Sequence, residues 1–354
     1  MDFTFSEEQR MMAAALRELT ADLCTPEALR ALFEGPDTAA EERWQRLAEL
    51  GLFGVLAPQS SGGMGLAEAD FVLLAQEAGR AGLPAPLTEQ AALAVPALLE
   101  LAAAQPAAAA LLPQLARGSA RIAVTHPQNV RANVPPGLTH WLLCAPESVT
   151  LARAEEIPAV AAASVDAGRR LLEPHAPSGA GEILARGARA QALGARLLNR
   201  GAVFSAAQCL GVAERMLALA ADYARERVQF GKPIGSYQAI KHHLASVAVK
   251  LEFARPVVYA AATRAADEDP RAAAAASHAK LAAGDAAELA ARTAIQVHGA
   301  MGYSWELDLH FYMKRAWALQ GAWGDRSFHA RRVQSLVCGG ALALGPDQTF
   351  ARTA

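Results

Sequence analysis

Apolar positions recur at helical spacing over both ends of the chain and give way to an alternating texture between them. Ser6 followed by Glu7 and Glu8 predicts a helix start. The acidic side chains favour the positive end of the helix dipole. In residues 41–50, Trp44, Leu47 and Leu50 fall at helical spacing, and Gly51 directly after them predicts a C-terminal stop. Gly62, Gly63 and Gly65 predict a loop, followed by an amphipathic helix over 67–81. Residues 91–116 are apolar but broken by Pro96, Pro106 and Pro113, so several short helices are expected rather than one long one.

From about residue 119 to 186 the period shortens. Residues 121–125, 139–144, 148–152 and parts of 157–164 predict strands, with Pro127, Pro135, Pro136 and Gly137 marking turns. Beyond about 190 the helical period returns. Leu210, Ala213, Leu217 and Ala220 form one stripe, and Leu244, Val247, Leu251 and Val258 another, in which Pro256 predicts a kink. Asp269 as cap with Pro270 in the first turn starts an alanine-rich run over 271–297. Alanine is the best helix former and lets helices approach closely, which predicts a bundle. The fold class is mainly α, in three parts. A helical domain spans 1–117, a small β-barrel-like domain 118–187, and a C-terminal helical bundle 188–345, with 346–354 as a tail.

Composition narrows the function. A net charge of -2 offers no basic excess to neutralise phosphates, which argues against nucleic acid as a partner. Every apolar run is interrupted by Arg, Glu, Asp or Gln, so no membrane span is expected. The acidic amino terminus lacks a signal-peptide pattern. Cys24, Cys144, Cys209 and Cys338 lie far apart with no Cys-x-x-Cys pair, which fits reduced thiols in a cytoplasmic protein and no metal site.

Two segments carry candidate chemistry. Arg225-Glu-Arg-Val-Gln-Phe-Gly-Lys-Pro-Ile234 places basic residues and an aromatic before a glycine turn. Gln296-Val-His-Gly-Ala-Met-Gly302 can bring backbone amides close to a phosphate, because glycine has no Cβ to block the approach. Together, in this order and at about this separation, the two resemble the flavin-contacting segments of the acyl-CoA dehydrogenase family. The loop after Leu50-Gly-Leu-Phe-Gly54 is similar to that family's amino-terminal domain. A Thr-Glu-Pro followed by Gly-Ser-Asp, which opens the family's middle domain, is missing; Val124-Thr-His-Pro-Gln128 is a faint echo.

The resemblance implies FAD as cofactor and an acyl-CoA thioester as substrate. A carboxylate would take the α-proton while the β-hydride moves to the flavin. It also implies flavin contacts at Arg227, Phe230, Gln296 and Gly299, with Gly302 shaping the turn. In the family Gln296 and the glycines reach FAD across a subunit boundary. The family base occupies one of two positions, and both lack a carboxylate here. Matching Met313-Lys-Arg-Ala316 to the family's pattern puts Trp323 at one, and counting back from Phe230-Gly231 puts Gly201 at the other. Asp325 is the fallback base, with capping of the last helix as its alternative role; His329 lies one turn further on. His298 reads as a locally packed helix-end histidine.

Two functions follow from the resemblance. One is an α,β-dehydrogenase of acyl-CoA thioesters with an unusual base. The other is a catalytically silent subunit that shares FAD with an intact homologue in a homo- or hetero-oligomer. Short chains of the second kind resemble the partner subunits of heteromeric acyl-CoA dehydrogenases acting on steroid-derived thioesters. A helical protein that binds neither flavin nor CoA is a third reading.

Overall fold

A computed structural model describes residues 4–342 and 345, so the expected tail over 346–354 lies outside the described residues. The amino-terminal part is helical: α1 (Glu7–Leu23), α2 (Pro26–Glu34), α3 (Ala40–Glu49), α4 (Glu68–Ala81), α5 (Val95–Ala102) and α6 (Pro106–Ala116). A π-helical turn, Glu89–Ala94, leads into α5. Ser6 opens α1 with a reciprocal cap. Its hydroxyl accepts from the Gln9 amide at 3.2 Å, and the Gln9 side chain accepts from the Ser6 amide at 2.7 Å. Pro106 stands in the first turn of α6, where a missing N–H costs nothing, whereas Pro96 follows directly on the π-helical turn within one continuous helical run.

The middle part holds β1 (Ile122–Thr125), β2 (Ala132–Asn133), β3 (His140–Cys144), β4 (Ser148–Arg153), β5 (Ala159–Ala162), β6 (Leu171–Pro174) and β7 (Glu182–Arg186). They form two small sheets, ordered β1-β3-β4-β7 and β2-β6-β5. β1 and β3 run parallel, and the other pairs are antiparallel. The sequence pattern reveals β1, β3, β4 and β5. It misses β2, which is two residues long, and it misses β6 and β7, whose side chains show no clear alternation of burial.

The carboxyl-terminal part is a bundle: α7 (Gly187–Glu226), a two-stranded hairpin of β8 (Val228–Gln229) and β9 (Lys232–Pro233), α8 (Gln238–Ala262), α9 (Pro270–His298), α10 (Leu309–Gly321) and α11 (Arg326–Cys338). α8 continues through Pro256 rather than ending at it. Asp269 caps α9 as expected, its carboxylate accepting from the Ala272 amide at 2.8 Å.

α7 organises the molecule. Its 40 residues make a rod of about 60 Å that packs on α4, α8, α9 and α10. The α7–α9 seam is largely alanine, including Ala206, Ala213 and Ala220 facing a run from Ala276 to Ala294, so the two backbones lie close. Contrary to the sequence expectation, α7 is long and apolar enough to cross a membrane by composition. That apolar surface is mostly buried inside the bundle, which accounts for it without a bilayer. Near its first third, Arg196 and Arg200 pair with Glu100 at 2.5 and 2.8 Å, and Arg200 pairs with Glu68 at 2.9 Å. These bonds fix α7 against α4 and α5 where residue 201 faces inward.

Candidate functional site

The two positions at which the resemblance expects a base meet in space. Gly201 faces the indole of Trp323 so closely that an added Cβ would lie 2.6 Å from Trp323 Cγ and nearer still to Cδ2. Trp323 is 2% exposed, so its ring fills the space between α7 and the α10–α11 connection. The backbone of Trp323 is left-handed, with φ of 58°, a conformation that costs an L-residue about 1–2 kcal/mol.

Surrounding groups hold that turn. The Trp323 amide donates to Asn129 Oδ1 at 3.2 Å, and the Gly324 amide donates to the Gln128 carbonyl at 3.2 Å. His329 bridges the Trp323 carbonyl at 2.9 Å and Ser277 Oγ at 3.0 Å. Beneath the turn, Lys280 Nζ donates to Ser205 Oγ and to the Ala322 carbonyl, both at 2.7 Å, and to the Leu319 carbonyl. It therefore satisfies the Ala322 carbonyl just past α10 and adds to the bonds that the Leu319 carbonyl accepts from the Ala322 amide and the Ser205 hydroxyl. Burial pushes the Lys280 ammonium down to about 8 and the His329 imidazole to about 4. His126, 6.2 Å from the indole ring centre, is also driven down to about 4 by burial.

Beside this packed turn lies a cleft of about 530 Å³ between the middle sheets and the α10–α11 corner. Trp317, Phe328 and Val165 give it apolar walls, while Gln128, Asn129 and Ser164 offer polar edges. Arg169, which is buried, and Arg331, which is exposed, also line it. Gly324 and Asp325 border it too, so the Trp323 turn forms one wall. Asp325 is exposed and engaged as the cap of α11, its Oδ1 accepting from the Phe328 amide at 2.7 Å.

Arg227, Phe230, Gln296, Gly299 and Gly302 gather elsewhere, at the other end of α7. Arg227 is the exposed C-cap of α7, and Phe230 stands at the hairpin tip, 93% exposed with φ of 52°. Gln296 and Gly299 are exposed at the end of α9, where Gly299 has a positive φ of 61°. Gly302 is buried, its Cα side tight against His298 and Ile295. The two segments are joined by the Tyr223 ring stacked on His298 at 4.2 Å, while His298 Nδ1 contacts the Ala294 carbonyl at 2.7 Å. Gly201 and Arg227 are 26 residues apart on one helix, about 39 Å along its axis.

The sequence reading missed Lys280, Asn129 and Arg169. Lys280 had a signal: it is the single lysine of 271–297 and falls on the buried stripe of Ala276, Ala283 and Ala287. Asn129 and Arg169 lie on irregular segments, where no period marks which side chains turn inward.

A helical domain, two small sheets and a helical bundle around a cleft at the α10–α11 corner define the class, and the comparisons agree. The acyl-CoA dehydrogenase N-terminal domain model matches residues 6–119, and the acyl-CoA dehydrogenase C-terminal domain model matches 190–335. This chain belongs to the acyl-CoA dehydrogenase family. It is similar to acyl-CoA dehydrogenase IpdE2 of Mycobacterium tuberculosis, 36% identical over 320 residues that cover 88% of this chain and 91% of the relative. It also resembles acyl-CoA dehydrogenase FadE34 of the same organism, 33% identical over 89% of this chain but only 45% of that longer protein. Among solved structures, the Tcur3481-Tcur3483 steroid ACAD G363A variant superposes with a TM-score of 0.82 at 26% identity, covering 95% of this chain and 99% of that one. The ChsE4-ChsE5 complex from Mycobacterium tuberculosis gives 0.80 at 26% identity, covering 96% and 99%.

Proposed function

We infer that this chain is a base-free subunit of a heteromeric acyl-CoA dehydrogenase, one that shares FAD with a glutamate-bearing homologue. The observation that carries the reading is Trp323 seated on Gly201. Neither position expected to hold a carboxylate has one, and the Trp323 indole fills the room that a side chain at 201 would need. A side chain without a titratable group cannot take an α-proton. Asp325 is exposed and committed to its capping bond, and His329 has both ring nitrogens engaged.

The cleft residues fit a flavin. Trp317 and Phe328 offer apolar walls for a planar ring, and Arg169 offers a cation. The hydride acceptor that the family's chemistry uses would be the FAD beside the homologue's glutamate. Arg227, Phe230, Gln296 and Gly299 lie too far along α7 to reach a cofactor in their own chain's cleft. Their exposure supports a role toward the cofactor of a neighbouring subunit, with Arg227 pairing with the diphosphate and Phe230 packing on the cofactor. Val228, Phe230, Val249 and Phe253 leave large apolar side chains exposed on the hairpin and α8, as an interface for a homologous subunit requires. The similarity to a steroid ACAD and to a two-component complex supports a steroid-derived thioester as the substrate of the assembled enzyme.

The test is the flavin spectrum of the chain purified alone and with a glutamate-bearing homologue, before and after anaerobic addition of acyl-CoA thioesters, including a steroid-type one. Bleaching only in the assembly is expected. Bleaching by the chain alone, abolished in Asp325→Asn, would replace this reading with an active dehydrogenase that uses a displaced base.

A further inference from the structure

We propose that the stacked rings of Tyr223 and His298 are the positioning pair of the far end of α7: they fix the spacing between Arg227 and Gln296, so that both side chains meet one dinucleotide diphosphate held by the neighbouring subunit. This rests on the reading of that end as facing a neighbour's cofactor. The two ring centres lie 4.2 Å apart, with the planes 23° from parallel.

Each ring is tied to the group it positions. Tyr223 stands one helical turn before Arg227, and its carbonyl accepts from the Arg227 amide at 2.8 Å. The Arg227 carbonyl in turn accepts from the Ile234 amide at 2.8 Å, which closes the hairpin onto the end of α7. On the other side, His298 ends α9, two residues after Gln296. Its Nδ1 lies 2.7 Å from the Ala294 carbonyl; a carbonyl only accepts, so Nδ1 carries the proton. A Cβ added at Gly302 would come 3.2 Å from His298 Cβ, so the turn after α9 packs on the histidine itself. At 7% exposure the imidazole has little room to swing.

Below the stack the two helices meet through small side chains, Ala220 and Ala224 on α7 and Ala290, Ala291 and Ala294 on α9. Alanine methyls make shallow ridges, which allow close approach and resist axial sliding only weakly. A pair of stacked rings at the end of the seam adds that resistance.

The side chains it positions are unsatisfied within the chain. Arg227 and Gln296 are exposed, and neither side chain makes a hydrogen bond or ion pair among the described residues, whereas nearby Arg225 is paired with Asp222. A guanidinium meets phosphate oxygens as a fork, and a carboxamide adds a further donor. Reaching one diphosphate from two segments requires a fixed separation, because a slide of about 1 Å takes a hydrogen bond out of range.

The experiment uses the full chain assembled with its glutamate-bearing homologue. FAD released on dilution of the holo-assembly, followed by its fluorescence, gives the affinity, and sedimentation gives the mass of the assembly. Tyr223→Leu should weaken FAD retention tenfold or more at unchanged mass. Tyr223→Phe, which keeps the ring, should recover most of the loss. In an Arg227→Ala background Tyr223→Leu should add little, because the residue it positions is gone. A stack that only stabilised the bundle would lower the melting temperature of Tyr223→Leu and leave FAD retention as in wild type; that result overturns the proposal. Should Tyr223→Leu fail to assemble, His298→Asn removes the other ring while keeping an N–H for the Ala294 carbonyl. The same tenfold loss is expected, and unchanged retention overturns the proposal. Arg227→Ala alone separates the proposal from the reading beneath it. If it leaves FAD retention unchanged, the cofactor-facing reading of this end fails, and the proposal with it. If Arg227→Ala weakens retention and Tyr223→Leu does not, the proposal alone fails.

Discussion

The indole of Trp323 occupies the space that any side chain on residue 201 would need. Two positions more than a hundred residues apart have become mutually dependent: a tryptophan fits because the facing residue is glycine. Gly201→Ala should destabilise the protein by about 1–3 kcal/mol through overpacking. Trp323→Ala should cost about 3–5 kcal/mol through the cavity it leaves. The double variant should cost less than the sum, because each change makes room for or fills space left by the other. Urea unfolding of the four proteins measures this; simple additivity would mean the contact is loose.

Acid should loosen the same corner. His126 and His329 are held near pKa 4 by burial, whereas an unfolded chain protonates them near pH 6.5. Their folded values lie below the unfolded ones, so below about pH 6.5 the unfolded state binds more protons. Stability is complete above that pH and declines as pH falls toward 4. Melting curves from pH 7.5 to 4 should show this decline, and His329→Gln should flatten it.

The far end of α7 should behave differently. Arg227 and Gln296 are exposed, so Arg227→Ala and Gln296→Ala should leave the melting of the isolated chain within about 0.5 kcal/mol of wild type. Flavin content of the assembled enzyme should fall in both. Unaltered flavin content would remove these residues from any cofactor site.

Phe230 combines 93% exposure with a left-handed backbone. Phe230→Gly should relieve about 1–2 kcal/mol of local strain in the free chain. The same change should weaken association with the homologous subunit, since it removes an exposed aromatic from the hairpin tip. Sedimentation of the mixed subunits, set beside the melting temperature of each, separates the two effects.

The helical parts were legible because α1, α3 and α9 announce themselves through caps and periodic apolar faces. The family resemblance was legible in two short motifs whose backbone demands few residue types can meet. What the sequence did not show was spatial. Gly201 and Trp323 could be named as carboxylate-free, but only packing reveals that one fills the other's place. The short strands β2, β6 and β7 were hidden because pairing partners, rather than their own composition, hold them in register. Arg169 was hidden for a related reason: an irregular connection gives no period from which burial can be read.

The length of α7 has a genetic consequence. Its two ends serve different cofactor sites in the proposed assembly, so damage at one end need not disable the other. A copy defective at Arg227 and a copy with an altered Trp323 corner would fail in separate places. Mixed in one cell, they could restore each other's missing half, and the pattern of such rescue would report which subunit lends what to whom.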